Sequence, residues 1–153
     1  MNIEELQEEL EKLKEEKKIK RWRAEMYEDY YFVTSQLNVM KDFEDEYGSG
    51  NGRYNCHNYF KTEEEAQAVA DNIKTHIELM ELAEELNTGS IDWKDNIQNK
   101  FKLVYDNEDK IIAIYDDEFF QEANTVYCTN ENFKDEAIKR IGEERLIKYL
   151  KGE

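Results

Sequence analysis

Between positions 66 and 83, apolar residues recur every three or four places: Ala66, Val69, Ala70, Ile73, Ile77, Met80 and Ala83. Leu79, Leu82 and Leu86 widen the stripe toward its C-terminal end. That period predicts an amphipathic helix with one face on a core. Thr62 and Glu65 have the spacing of a capping box, each side chain accepting the other's backbone amide. Glu63, Glu64 and Glu65 fall in the first turn, where the helix dipole favours negative charge. Asn87 and Gly89 supply the stop signal. The predicted helix has about 25 residues and spans roughly 37 Å. Such a face requires a sheet beneath it.

Residues 3–28 read as one long helix in two halves. Ile3, Leu6, Leu10 and Leu13 keep the a/d spacing of a two-heptad seam, short for a coiled coil. Ile19, Trp22 and Met26 keep the same spacing in another phase. At about 100° per residue the two groups centre near 320° and near 130°, so the apolar face swaps sides around Lys14–Lys18. The second half is expected to pack on its own domain, and the first to meet a second copy through Ile3, Leu6, Leu10 and Leu13. The first 13 residues carry five Glu and one Lys, whereas residues 14–23 carry six basic residues and two Glu. Acid-first order suits the helix dipole and favours an antiparallel pair. The competing reading is a lone solvated helix with a frayed start.

Aromatic and β-branched runs on either side of Ser35, Gln36 and Asn38 predict a β-hairpin over residues 30–43. A glycine-rich loop (44–53), a short strand (54–60) and the capped helix follow. The pattern then recurs. Residues 101–105 and 111–115 form a second hairpin around the turn DNED, 125–128 is a short strand, and Asn130 caps a last helix. Phe133, Ala137, Ile138, Ile141, Leu146, Tyr149 and Leu150 mark that helix, with Gly142 a tolerated weak point. Tyr59-Phe60 before Thr62 corresponds to Tyr127-Cys128 before Asn130. The predicted class is therefore α+β: a long N-terminal helix (1–28), then a duplicated β-β-β-α domain (29–153, units 29–89 and 90–153). Its antiparallel strands form one sheet or two small ones, with helices packed on one face. Trp93, between the units, is expected to be a core or lid anchor and not a ligand platform.

With 38% charged and 39% hydrophobic residues the chain is very polar, yet 12% aromatic content favours a folded protein over disorder. The acidic start MNIEELQEEL does not resemble a secretory signal and no apolar run is long enough to span a bilayer. The expected location is the cytoplasm, with no membrane partner. Two cysteines do not make a disulfide framework. A formal net charge of −16, all of it in residues 24–153, argues against direct nucleic-acid binding and fits a basic protein partner.

No catalytic, cofactor-binding or metal-binding residues are predicted. Cys56, His57, His76 and Cys128 lack the ligand spacing of a zinc site. GSGNG at 48–52 is not followed by Lys-Ser/Thr or a helix start, so it reads as a mobile loop and not a phosphate cradle. The acidic turns lack the calcium-loop pattern. No Ser-His-Asp or Cys-His arrangement follows from spacing.

What does stand out is the interleaving of acids with tyrosines in YEDYYF, DFEDEYG and IYDDEFF. Asp42, Glu44 and Glu46 of an extended segment lie about 6.6 Å apart, a spacing comparable to successive phosphates. Candidate partner-binding residues are these three with Asp45, Tyr47, Asp106, Glu108, Asp109, Asp116, Asp117 and Glu118. A solvated hairpin edge on an ordinary acidic protein is the competing reading.

Residues 30–150 resemble a family of small proteins encoded by phages and prophages of Firmicutes. The family pattern is an aromatic hairpin, GNYF-x-T-x-EEA opening a helix, ELN-x-G, DW, a K-Y/F strand, V-Y-F, and IGEE-x-L-x-x-YL. Here HNYFKTEEEA, AEELNTG, IDW, NKFKLVYD, TVYC and IGEERLIKYL stand in those places. His57 replaces the usual glycine, Cys128 the usual Phe, and the turn glycine of the first hairpin is missing. The resemblance implies a phage context and brings no activity to transfer. With it, the expected function is a non-enzymatic inhibitor of the host's anti-phage defence, of the anti-CRISPR kind. It would present an acidic surface to a basic nucleic-acid-binding host protein. The alternatives are a phage accessory or assembly protein that self-associates as a dimer through the first helix, and, third, a small-molecule-binding protein or enzyme.

Overall fold

The computed structural model describes residues 2–16, 21–45, 47–117 and 119–153. Its elements are α1 (Ile3–Glu16), β1 (Asp29–Val33), β2 (Val39–Phe43), α2 (Ser49–Asn55), α3 (Glu63–Leu86), β3 (Phe101–Asp106), β4 (Ile111–Asp116), α4 (Phe133–Ile141) and α5 (Glu143–Lys151). The fold is mixed α and β, with two separate antiparallel two-stranded sheets, β1-β2 and β3-β4. No helix among the described residues is long and apolar enough to cross a membrane.

Helix α3 starts as its cap predicts. Thr62 Oγ1 accepts from Glu65 N at 3.2 Å, and Glu65 Oε2 accepts from Thr62 N at 3.3 Å. Its burial differs from the expected single face. Ala66 and Ala70 are buried in the first half, and Thr75, Leu79, Leu82 and Ala83 in the second. At 100° per residue these groups lie on nearly opposite sides of the helix. The reason is that α3 serves two bodies, packing on β1 and β2 and also on α4 and α5. Leu79, Leu82 and Ala83 enter an aliphatic core with Leu103, Ile112 and Phe133. The other core is aromatic: Tyr30 and Tyr59, with Ala24, ringed by Trp22, Phe32 and Tyr54.

Four further expectations are corrected. The N-terminal helix stops at Glu16 and not at residue 28. Residues 17–20 lie outside the described set, and from Arg21 the chain is a non-helical arm because its backbone finds partners in the hairpin. Ala24 N donates to Tyr59 Oη at 3.2 Å, and Tyr27 N donates to Glu44 O at 2.7 Å. The third strands reduce to single bridges, Tyr31 with Phe60 and Phe101 with Cys128. The glycine-rich stretch forms helix α2 in place of a loop. The last helix is two, because Gly142 sits at φ 97°, a left-handed conformation that ends α4 and starts α5.

Trp93 is half-buried outside both cores and packs edge-on against Tyr127 at 4.8 Å between centroids. Beside it Lys100 is wholly buried. Its ammonium donates to the carbonyls of Asp95 at 2.6 Å and Gln98 at 3.1 Å, and lies 5.4 Å from the Trp93 ring. One cation thus ties down the connection between α3 and β3. Replacing it, Lys100→Met, removes charged hydrogen bonds and is expected to cost about 2 kcal/mol. Urea denaturation measures the loss, and amide exchange should accelerate first in residues 88–99.

Candidate protein-binding surfaces

The acidic residues singled out in the first hairpin are largely turned inward. Glu44 is 1% exposed. Its carboxylate accepts from Arg23 Nε at 3.0 Å and from Tyr59 Oη at 2.7 Å. Arg23 also bonds Asn51 of α2. Asp42 accepts from Arg53 Nη1 at 2.7 Å, and the same nitrogen donates to Tyr30 Oη at 2.7 Å. The Arg53 bond, helped by the Phe43 amide, holds the Asp42 carboxyl below the usual carboxylate range. Burial, and then the hydrogen bond to Glu44, pushes the Tyr59 phenol up. Tyr59 stacks on Tyr30 at 4.1 Å. Asp45 is half-buried and Tyr47 is exposed. Glu46 and Glu118 lie outside the described residues.

The second hairpin repeats this chemistry with other residues. Asp117 pairs with Lys102 at 2.7 Å and accepts from Tyr127 Oη at 3.0 Å. Lys102 reaches Glu122 as well, at 2.5 Å. Burial alone would lower the Lys102 ammonium, but its bonds to Asp117 and Glu122 hold it above its ordinary value. Asp116 accepts from the Lys100 amide and Asp106 from the Glu108 and Asp109 amides, so these two carboxylates also organise their own backbone. Glu108 and Asp109 are exposed in the β3-β4 turn. Phe119 and Phe120 stand exposed nearby in sequence.

Helix α1 buries nothing. Asn2 and Glu5 cap it reciprocally, each backbone amide donating to the other's side chain at 2.9 Å. Ile3, Leu6, Leu10 and Leu13 are between 47% and 74% exposed, all on one face. The sequence reading placed this seam correctly on a helix but missed its cap, an Asn-x-x-Glu at the first described residue.

Helix α3 leaves a second apolar stripe uncovered: Val69, Ile73, Ile77 and Met80. These residues had been expected in the core. At 100° per residue they centre about 45° from the side of Ala66 and Ala70 and about 130° from the side of Thr75, Leu79, Leu82 and Ala83. At its C-terminal end the stripe runs into a groove of about 1020 Å³ between α3 and residues 121–127. His76 borders the groove and bonds through Nδ1 to Tyr149 Oη at 2.5 Å. No set of three or more His, Cys, Asp or Glu able to hold a metal occurs among the described residues. No family model matches the chain, and neither a curated protein nor a solved structure matches it.

The buried carboxylate also explains a glycine. A Cβ on Gly50 of α2 would stand 3.0 Å from Glu44 Oε1, whereas one on Gly52 meets nothing within 4 Å. Helix propensity alone favours alanine at both by about 1 kcal/mol. Gly52→Ala is therefore expected to stabilise the fold by up to about 1 kcal/mol. Gly50→Ala should destabilise it by about 1–3 kcal/mol as the Glu44 network is displaced. Parallel urea titrations of the two variants check the opposite signs.

Proposed function

We propose that the chain is a non-enzymatic protein of phage type that acts by binding protein surfaces, the first being a second copy of itself through α1. The observation that carries this reading is the uncovered seam of Ile3, Leu6, Leu10 and Leu13 on a helix with no buried residue. An isolated helix of this length is marginal in water and gains stability by packing its apolar face. With Ile3 and Leu10 at a and Leu6 and Leu13 at d, Glu9 falls at g and Lys14 at e. A parallel pair brings each Glu9 beside the partner's Lys14, whereas an antiparallel pair sets g against g, Glu against Glu. The basic residues that had argued for antiparallel pairing mostly follow the helix, and Arg21 and Arg23 bond Tyr54, Glu44 and Asn51. The parallel arrangement is the better supported.

The same reading extends to the architecture. Two hairpin-plus-helix units, 29–89 and 90–153, are taken as one unit used twice. In support, Trp22 contacts Tyr59 as Trp93 contacts Tyr127, and each tyrosine bonds a carboxylate that a cation holds.

Sedimentation velocity over a concentration series should show a monomer–dimer equilibrium for the native chain and monomer alone for the double variant Leu6→Lys/Leu10→Lys. A native chain that stays monomeric at every concentration refutes the pairing.

A second reading keeps the anti-defence inhibitor in the host cytoplasm, with its acidic surface moved to the second hairpin. The favouring observation is that acids and aromatic rings are jointly exposed there: Glu108, Asp109, Tyr115, Phe119 and Phe120. Bait protein should capture nucleic-acid-binding proteins from host lysate at low salt, and added duplex DNA should compete. Capture that DNA does not reduce contradicts mimicry.

A further inference from the structure

Beyond α1, the groove along α3 has the chemistry of a binding site for another protein's helix. Its floor is apolar: Ile77, Met80 and Ala83 from α3, with Val126 opposite. The rim carries Glu81 and Glu84, and among the described residues neither has a hydrogen-bond or ion-pair partner. The opposite wall is fixed before anything binds. Tyr127 Oη accepts from Glu122 N at 3.0 Å, Lys102 holds the Glu122 carboxylate, and Asn87 Oδ1 accepts from Thr129 N at 2.8 Å. A preformed wall lowers the ordering cost of association.

The shape fits a helix better than a metabolite. At about 1020 Å³ the groove is at the top of the usual range for small-ligand pockets, roughly 300–1,000 Å³. It is also open along its length and continues into the uncovered side chains of Ile73 and Val69. The stripe spaced 69, 73, 77, 80 presents about 16 Å of apolar ridge, three turns of helix. Helix-in-groove recognition uses anchors at this spacing, and the flexible Met80 can adapt to them.

Charge then selects the occupant. Helix α1 of a second copy is excluded as a good fit, because its seven Glu and two Lys would meet Glu81 and Glu84 with like charge. We propose that the α3 groove binds a basic amphipathic helix of a partner protein, its leucine-type face on Ile77 and Met80 and its lysines or arginines beside Glu81 and Glu84. This does not depend on the pairing of α1.

The test is fluorescence anisotropy of the full-length protein with a labelled peptide of about 18 residues, five turns of helix. The peptide has Leu at i, i+3, i+4 and i+7 and Lys elsewhere. A peptide of identical composition with the Leu positions scrambled controls for plain attraction to an acidic protein. The amphipathic peptide should bind about tenfold more tightly than the scrambled one, the weight of one good anchor. Met80→Lys, at a half-exposed position that threatens no core, should remove that advantage. Glu81→Gln/Glu84→Gln should weaken binding and flatten its salt dependence. Neutralising Glu108 and Asp109, or introducing Leu6→Lys/Leu10→Lys, should leave affinity unchanged. Equal binding of the two peptides, or an unaffected Met80→Lys variant, overturns the proposal whether or not α1 dimerises.

Discussion

One helix has to satisfy two cores. Helix α3 gives Ala66 and Ala70 to the first hairpin and, half a turn round, Leu79, Leu82 and Ala83 to the aliphatic core of the second unit. Small residues at the first contact let the helix lie close to β1 and β2, and larger ones at the second fill the space under α4 and α5. Arg145 fastens the junction, bonding Thr75 Oγ1 at 3.2 Å and Glu78 at 2.9 Å. Val69, Ile73, Ile77 and Met80 flank the side of Ala66 and Ala70 and turn away from the side that meets the second core, so their apolar surface stays uncovered.

Scarcity of cations shapes the rest. With 21 Lys and Arg against 37 Asp and Glu, few basic side chains are free to choose partners. The structure places several of them on carboxylates in or just after the hairpins: Arg23 on Glu44, Arg53 on Asp42, Lys102 on Asp117 and Glu122. Each of these pairs also touches a tyrosine hydroxyl, so charge, hydrogen bond and ring burial are satisfied together. The consequence for function is direct. The Glu44 carboxylate, held inward, cannot also face a partner, whereas Glu81, Glu84, Glu108 and Asp109 stay without a cation among the described residues.

The elements whose signals were local were legible in the residues. The Thr62 and Glu65 cap and the two hairpins follow from short-range chemistry. Long-range requirements were not legible. Ile19, Trp22 and Met26 carry a helical period; Ile19 lies outside the described residues, and from Arg21 on the Tyr59 hydroxyl and Glu44 carbonyl claim the backbone and keep it out of a helix. GSGNG has poor helix propensity, yet Gly50 is needed for its closeness to a buried carboxylate, and α2 forms around that need. Asp42, Glu44 and Glu46 alternate like a solvated edge, and nothing in the alternation reveals that an arginine 21 residues earlier takes up Glu44. The α3 stripe was read as core because periodicity reports an apolar face without reporting how many bodies compete for it.

Helix α1 closes the account. It is capped, amphipathic and devoid of buried residues, and its apolar seam has a/d heptad spacing. The most direct measurement is a methyl carbon–proton spectrum of the full-length protein followed through dilution. Pairing predicts that the methyl signals of Ile3, Leu6, Leu10 and Leu13 move together with concentration while those of Leu79, Leu103 and Leu146 stay fixed. Signals from the α1 seam that do not move between the highest and lowest concentrations would contradict it.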